Sequence, residues 1–221
     1  NVHHVRELMD EVFGVGNFCS VISFVKTGGK GGALLDTVND FLVWYAKDKD
    51  RIKFRQLYFP KIFGKEKTAS YVWIESPDGL ERRRLTTTEQ EEQKIPDGWR
   101  LFSAQNLTSQ SGGDTSRFPV KFRGRVFVPT KNFWKTNLEG MGNLIRANRL
   151  IVAGNSLNYV RYREDFPVIP INNIWTDTAI AGFSGEEKVF VVQTAKKVIE
   201  RCLLMTTDPG DLVFDPTCGS G

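Results

Sequence analysis

The chain has 221 residues, 40% hydrophobic and 25% charged, enough for a sizeable apolar core in one large domain or two small ones. No apolar run approaches the roughly 18 residues a membrane span needs, and no basic-then-apolar leader opens the sequence, so the expectation is a cytoplasmic protein with no membrane partner. The net charge of +4 is unevenly spread: residues 51–170 hold 21 Lys and Arg against 12 Asp and Glu, whereas the flanks hold 9 against 14, which points to a polyanion as the partner of the middle segment.

In chain order, "NVHHVRELMDEVFG" places Val2, Val5, Met9, Val12 and Phe13 near helical spacing, with Gly14 as a C-terminal stop. "NFCSVISFVK" reads as a buried strand, "TGGKGGALLD" as a loop, and "NDFLVWYAK" as a second strand beside the first. Apolar runs joined by helices favour an open α/β sheet. From residue 51 to 170 the texture changes. Turn signals at Pro77-Asp78-Gly79, Pro96-Asp97-Gly98 and Gly112-Gly113 separate short segments such as "ASYVWIE" and "VKFRGRVFVP", which alternate like half-exposed strands. "NLEGMGNLIRANRLIV" is more helical, so this is a mixed α+β insert. In residues 171–221, "KVFVVQ" reads as a strand. "TAKKVIERCLLMTT" reads as a helix with Thr194 as N-cap and Val198, Cys202 and Met205 on one face. A turn at Asp208-Pro209-Gly210-Asp211 then leads into "LVFD", a short buried strand. The expected domains are thus 1–50, 51–170 and 171–221, the outer two forming one α/β domain.

The strand-to-glycine ending "DLVFDPTCGSG" sits where open α/β folds bind ligands. Gly219 and Gly221 permit close backbone approach, and Asp215 offers a carboxylate to an ammonium or hydroxyl; a plain left-handed turn explains the glycines as well. Other candidates are weaker. Gly28-Gly29-Lys30-Gly31-Gly32 lacks the spacing of a phosphate loop, leaving a flexible loop or a DNA-backbone contact by Lys30. His3-His4 has no metal-ligand spacing. Cys19, Cys202 and Cys218 form no Cys-x-x-Cys pair, which fits a reducing compartment, and Cys218 has no histidine to activate it.

In the insert, "ERRRL", "FPVKFRGRVF", "PTKNFWKTN" and "RANRL" interleave cations with aromatics. The DNA-contacting candidates are Arg82, Arg83, Arg84, Arg117, Lys121, Arg123, Arg125, Lys131, Trp134, Lys135, Arg146 and Arg149, with Arg161 and Arg163 nearby. Arginine suits guanine edges and phosphates, and an aromatic ring wedges into or stacks on bases. A solvated strand face gives much the same spacing, and Arg163 has Glu164 and Asp165 as alternative partners.

Residues 192–221, "VQTAKKVIERCLLMTTDPGDLVFDPTCGSG", closely resemble the amino-group DNA methyltransferases that use S-adenosylmethionine. Gln193 matches the family's strand-end glutamine, Val198-Ile199-Glu200-Arg201 its helix, and Pro209-Gly210-Asp211 its turn. Asp215-Pro216 and Gly219-Ser220-Gly221 match its cofactor loop. Thr194-Ala195 in place of Lys-Pro, and Thr217 in place of Phe, look like the branch of modification enzymes related to type III restriction–modification systems. The opening helix and strand resemble those that follow the family's catalytic motif. The resemblance implies a Rossmann-like methyltransferase sheet interrupted by a target-recognition insert. It implies methyl transfer from S-adenosylmethionine to the exocyclic amine of adenine in duplex DNA, with Gln193, Asp215, Pro216, Thr217, Gly219 and Gly221 at the cofactor. A restriction subunit or a second methyltransferase copy is implied as a further partner. The family's Asp-Pro-Pro-aromatic loop has no counterpart, because no two prolines in the chain are adjacent. The expectation is therefore a fragment with no catalytic residues and no methyl transfer of its own. A non-enzymatic DNA-binding module, or a piece of an N4-cytosine or RNA methyltransferase, remains the alternative.

Overall fold

The computed structural model describes residues 2–29, 31, 33–64, 69–179 and 194–218. The strand expected at 188–193 falls outside them, as do Lys30, Gln193, Gly219 and Gly221. In chain order come α1 (Val2–Phe13), β1 (Phe18–Val25), β2 (Asn39–Tyr45), β3 (Tyr58–Pro60), β4 (Trp73–Glu75), β5 (Arg82–Arg84) and α2 (Thr87–Glu91). Next are β6 (Arg100–Asn106), β7 (Thr108–Ser109), β8 (Val120–Phe122), β9 (Arg125–Phe127), β10 (Phe133–Trp134) and α3 (Leu138–Arg146). The chain continues through β11 (Leu150–Ala153), β12 (Ser156–Tyr162), β13 (Val168–Pro170), β14 (Ile174–Trp175) and α4 (Lys196–Thr206). These mixed α and β elements form two compact units, Asn1–Phe59 with Pro170–Gly221, and Pro60–Ile169. No helix of the described residues is long and apolar enough to cross a membrane.

In the first unit, β1 pairs antiparallel with β2 from Phe18↔Tyr45 to Val25↔Asn39, and parallel with β14 through Ser23↔Ile174 and Phe24↔Trp175. An antiparallel pair needs no crossover, and no helix is present among the described residues between β1 and β2. Ile22, Phe24 and Trp175 bury their side chains against Val198 and Met205 of α4, with Cys202 packed beside them. The helical face expected of Val198, Cys202 and Met205 is thus the one that meets the core. Its cap differs from expectation: the helix begins one residue further on, and Ala195 occupies the cap position without a side-chain hydrogen bond, so Thr194 lies outside the first turn.

On the same helix Arg201 is buried between the rings of Trp175 and Phe59, and its guanidinium donates to both oxygens of Asp177 at 2.9 and 2.6 Å. The α1 helix ends at Gly14, whose φ of 84° an L side chain would resist. Polar contacts hold this helix. Arg6 lies 3.6 Å over the Phe18 ring, and Asp10 accepts from the Tyr45 hydroxyl, while Val5, Leu8 and Val12 stay exposed.

The "LVFD" segment corrects a second expectation. Leu212, Val213 and Phe214 are exposed, and they belong to no strand. A β-strand exists only where a neighbour supplies ladder partners, and no described residue does so here.

The second unit is built on a five-stranded antiparallel sheet in the order β11-β12-β6-β4-β5. Both faces are covered. Phe102, Val160 and Tyr162 lie on one side with Ile151, whereas Ile74 and Leu101 lie on the other with Tyr71 and Leu85. Period-2 alternation therefore buries successive residues in turn, so within "ASYVWIE" only Trp73–Glu75 is a strand, internal and largely buried and not the half-exposed one expected. A separate cluster gathers Trp134, Met141, Phe127, Val120, Leu107, Leu150 and Leu157. In it α3, capped by Asn137, presents Met141 inward.

A buried polar network ties four strands of this sheet together. Glu75 of β4 accepts from Arg82 of β5 through Oε2 and from the Tyr162 hydroxyl of β12 through Oε1 at 2.6 Å. Arg82 donates onward to the carbonyls of Leu150 (2.9 Å) and Asn148 (2.7 Å). Burial and the bond to Glu75 push the Tyr162 hydroxyl above its ordinary pKa, which keeps it a donor. Removing one partner of such a pair strands the other in a low dielectric. Glu75→Ala is expected to lower the unfolding free energy by about 3–5 kcal/mol in urea denaturation, whereas exposed Glu92→Ala should change it by less than about 0.5 kcal/mol.

Candidate nucleic-acid interface

The clearest projection of positive charge in the second unit is the β8–β9 hairpin. Its register pairs Val120 with Phe127, Lys121 with Val126 and Phe122 with Arg125. Val120 and Phe127 are buried and root the hairpin, while Lys121, Arg123 and Arg125 are exposed. The two turn residues, Arg123 and Gly124, have φ of 47° and 74°, the paired positive values that match the right-handed twist of a two-residue hairpin. Glycine adopts this freely; arginine does so at a cost of roughly 1–2 kcal/mol. Phe122 and Phe127 lie beneath the guanidinium groups of Arg123 and Arg125 at 5.6 and 5.0 Å.

Further exposed cations surround other parts of this unit. Arg117 lies 4.3 Å over the Phe133 ring, and Arg84 lies 5.3 Å from the Trp73 ring. Lys131 is exposed, and Arg146, in the last turn of α3, bonds only its neighbour Asn143. Lys135 donates to the Asn106 carbonyl at 2.9 Å and edges a polar depression of about 500 Å³ that also contains Ser109, Ser111 and Ser116. Among the described residues, Arg84, Arg117, Lys121, Arg123, Arg125, Lys131, Lys135 and Arg146 make no ion pair. Rings beneath several of them restrict the side chains without neutralising the charge.

Four expected contact residues are placed otherwise. Arg82 has a side chain only 5% exposed and is consumed by Glu75, because an internal carboxylate demands a cation. Trp134 is buried in the core and donates its indole N–H to the Phe118 carbonyl at 2.9 Å, so its ring neither wedges nor stacks. Arg83 forms a two-pronged pair with Glu89 at 2.8 Å on each side and lies over Trp99. Arg149 forms a similar pair with Asp165 at 2.6 and 2.9 Å and flanks the Tyr162 ring. Burial alone would raise the Asp165 pKa, but the bonds from Arg149 and the Tyr162 amide hold the carboxyl below its ordinary value. Glu89 is held at about 2 by the Arg83 bond and then by the Thr86 amide, as part of the Thr86 capping box.

The candidate cofactor loop belongs to the first unit. Asp215 Oδ1 accepts from the Thr217 amide at 2.9 Å and from its hydroxyl at 3.3 Å, a turn closed on itself. Asp215, Pro216, Thr217 and Cys218 are all exposed. A carboxylate beside small residues is a suitable acceptor for an amine- and hydroxyl-bearing cofactor, but these described residues do not enclose one. Sequence reasoning missed how the preceding turn is held. Lys53 contacts Asp208 and Asp211 at 2.6 and 2.5 Å, and Arg55 pairs with Asp208. It also missed a groove of about 920 Å³ lined by Leu42, Trp44, Lys47, Arg51, Cys202 and Met205 among others. Neither has a local signal, since each brings together residues over 100 positions apart. Among the described residues no group of His, Cys, Asp or Glu has an arrangement that holds a metal.

The family model described as DNA methylase, covering N6 and N4 enzymes, matches residues 1–221. The chain belongs to this DNA methylase family, and the family's activity is that of a DNA methyltransferase. No curated protein matches the chain.

The Arg83–Glu89 pair makes a pH-dependent contribution that can be read separately. A carboxylate with a depressed folded pKa stabilises fully above its unfolded value near 4.5 and loses that contribution as pH falls through about 2. Unfolding free energies measured from pH 6 down to pH 2.5 should therefore fall less steeply in Glu89→Gln than in the parent chain. Parallel curves would exclude this assignment.

Proposed function

We propose that the unit Pro60–Ile169 is the target-recognition part of a methyltransferase that methylates the N6 amine of adenine in duplex DNA. The observation that carries this reading is the set of exposed cations that make no ion pair among the described residues, once Arg82, Arg83 and Arg149 are taken up by Glu75, Glu89 and Asp165. Phosphate contacts of that kind position a protein on DNA, and base contacts from the same surface specify sequence. The first unit would then contribute part of a Rossmann-like methyltransferase sheet. Gln193, Asp215, Pro216, Thr217, Gly219 and Gly221 would form part of the site for S-adenosylmethionine as methyl donor. A restriction subunit or a second methyltransferase copy would complete a cytoplasmic modification enzyme.

Methylating an exocyclic amine requires the base to leave the stack and its nitrogen to be aligned with the donated methyl group. These 221 residues contain no adjacent prolines for the family's amine-holding loop. The chain by itself should therefore bind DNA without transferring a methyl group.

Anisotropy titrations of a fluorescent mixed-sequence duplex between 50 and 200 mM salt test the binding. The expected log–log slope is about −0.9 per phosphate neutralised. Replacing Lys121, Lys131 and Arg146 together by alanine should bring that slope about 2.7 units closer to zero, and a salt-independent affinity would refute the proposal. A tritiated-methyl assay on unmethylated genomic DNA should show no incorporation above background, and clear incorporation would refute the inactivity.

A further inference from the structure

We infer that the β8–β9 hairpin is the base-reading element, entering the major groove with Arg123 at its tip to read guanine; this rests on the DNA-recognition reading above. The dimensions favour that groove. Two paired strands lie about 4.8 Å apart, so with side chains the ribbon suits a major groove about 12 Å wide and overfills a minor groove about 6 Å wide. The hairpin is also built as a rigid probe. Val120 and Phe127 anchor its base in the cluster with Trp134 and Met141, Phe122 beside the turn packs against the same cluster, and Lys121, Arg123, Arg125 and Val126 face solvent.

The tip supplies an independent observation. A two-residue turn with positive φ at both centres is best served by Asn-Gly. The first centre here is arginine at φ 47°, a conformation its Cβ opposes. Turn chemistry does not account for that choice, and neither does packing, since the guanidinium only flanks the Phe122 ring and makes no ion pair among the described residues. A strained residue persists where its side chain has a use, and this one is a five-donor fork at the exposed turn of an anchored ribbon. Such a fork matches the O6 and N7 acceptors of guanine, the commonest specific arginine contact in the major groove. Lys131 and Arg146, outside the hairpin, are then left for phosphates.

Selection from a randomised duplex library with the 221-residue chain tests the assignment. The parent chain should enrich a motif with at least one guanine. Arg123→Asn suits the turn, so its melting temperature should hold or rise. Its preference for guanine at one motif position should fall roughly 5- to 100-fold. Lys131→Ala with Arg146→Ala should keep the motif and weaken binding to every sequence. An Arg123→Asn chain that selects the unchanged motif would overturn the inference and leave DNA binding standing, as would a parent chain that binds but enriches nothing. A parent chain that binds no duplex would overturn both this inference and the reading beneath it.

Discussion

Glu75 is a buried carboxylate at the end of β4 in the second unit's sheet, and its need for compensation organises much of what surrounds it. An unpaired charge there would be prohibitive, so the fold supplies an arginine from β5 and a hydroxyl from β12. Because Arg82 also bonds the carbonyls of Asn148 and Leu150, one buried ion pair joins four separate stretches of chain. Arg100 and Arg149 lie against the Tyr162 ring, 3.6 and 4.5 Å from its centroid, and Arg149 carries the linkage on to Asp165. Such a network adds little stability over an apolar core of the same volume, but it makes alternative registers expensive.

The same constraint separates two populations of cations. Arginines opposite a carboxylate are held in ion pairs, Arg82 with Glu75 in the interior and, partly exposed, Arg83 with Glu89 and Arg149 with Asp165. Those facing a ring, such as Arg84 on Trp73, Arg117 on Phe133 and Arg125 on Phe127, keep their charge available to solvent. Ring contacts reduce the conformational entropy that a long side chain loses on binding, so a surface of stacked arginines is better prepared for a polyanion than one of free lysines. The basic surplus of the middle segment leaves such cations on the surface of the second unit.

The first unit follows parallel logic with a different pair. Arg201 is buried among Trp175 and Phe59 because Asp177 neutralises it, which fixes α4 against the segment after β14. From the end of that helix, Lys53 and Arg55 hold the turn at Asp208 to Asp211. The chain beyond is placed but not covered, with Leu212 and Phe214 exposed and Asp215 accepting from the Thr217 amide of its own turn.

What the amino-acid sequence determined by itself was local or cumulative. The stop of α1 at Gly14, the apolar runs of β1 and β2, the inward face of α4, the turn at Asp208-Pro209-Gly210-Asp211 and the basic surplus all depend on residues a few positions apart or on simple counting. The thirty-residue pattern ending at Gly221 was legible for the same reason, and it pointed to the family that the whole chain matches. Only the tertiary structure decided which arginine of "ERRRL" is free. Arg82 and Arg84 share one face of β5, so alternation does not distinguish them; register sets Arg82 opposite Glu75 and Arg84 opposite Trp73. Likewise Trp134 looked like a base-stacking ring until the fold surrounded it with Leu107, Val120 and Met141. "LVFD" looked like a buried strand although no described strand lies beside it. Burial and pairing depend on which distant segment lies across the sheet, and residue spacing along one strand carries no record of that neighbour.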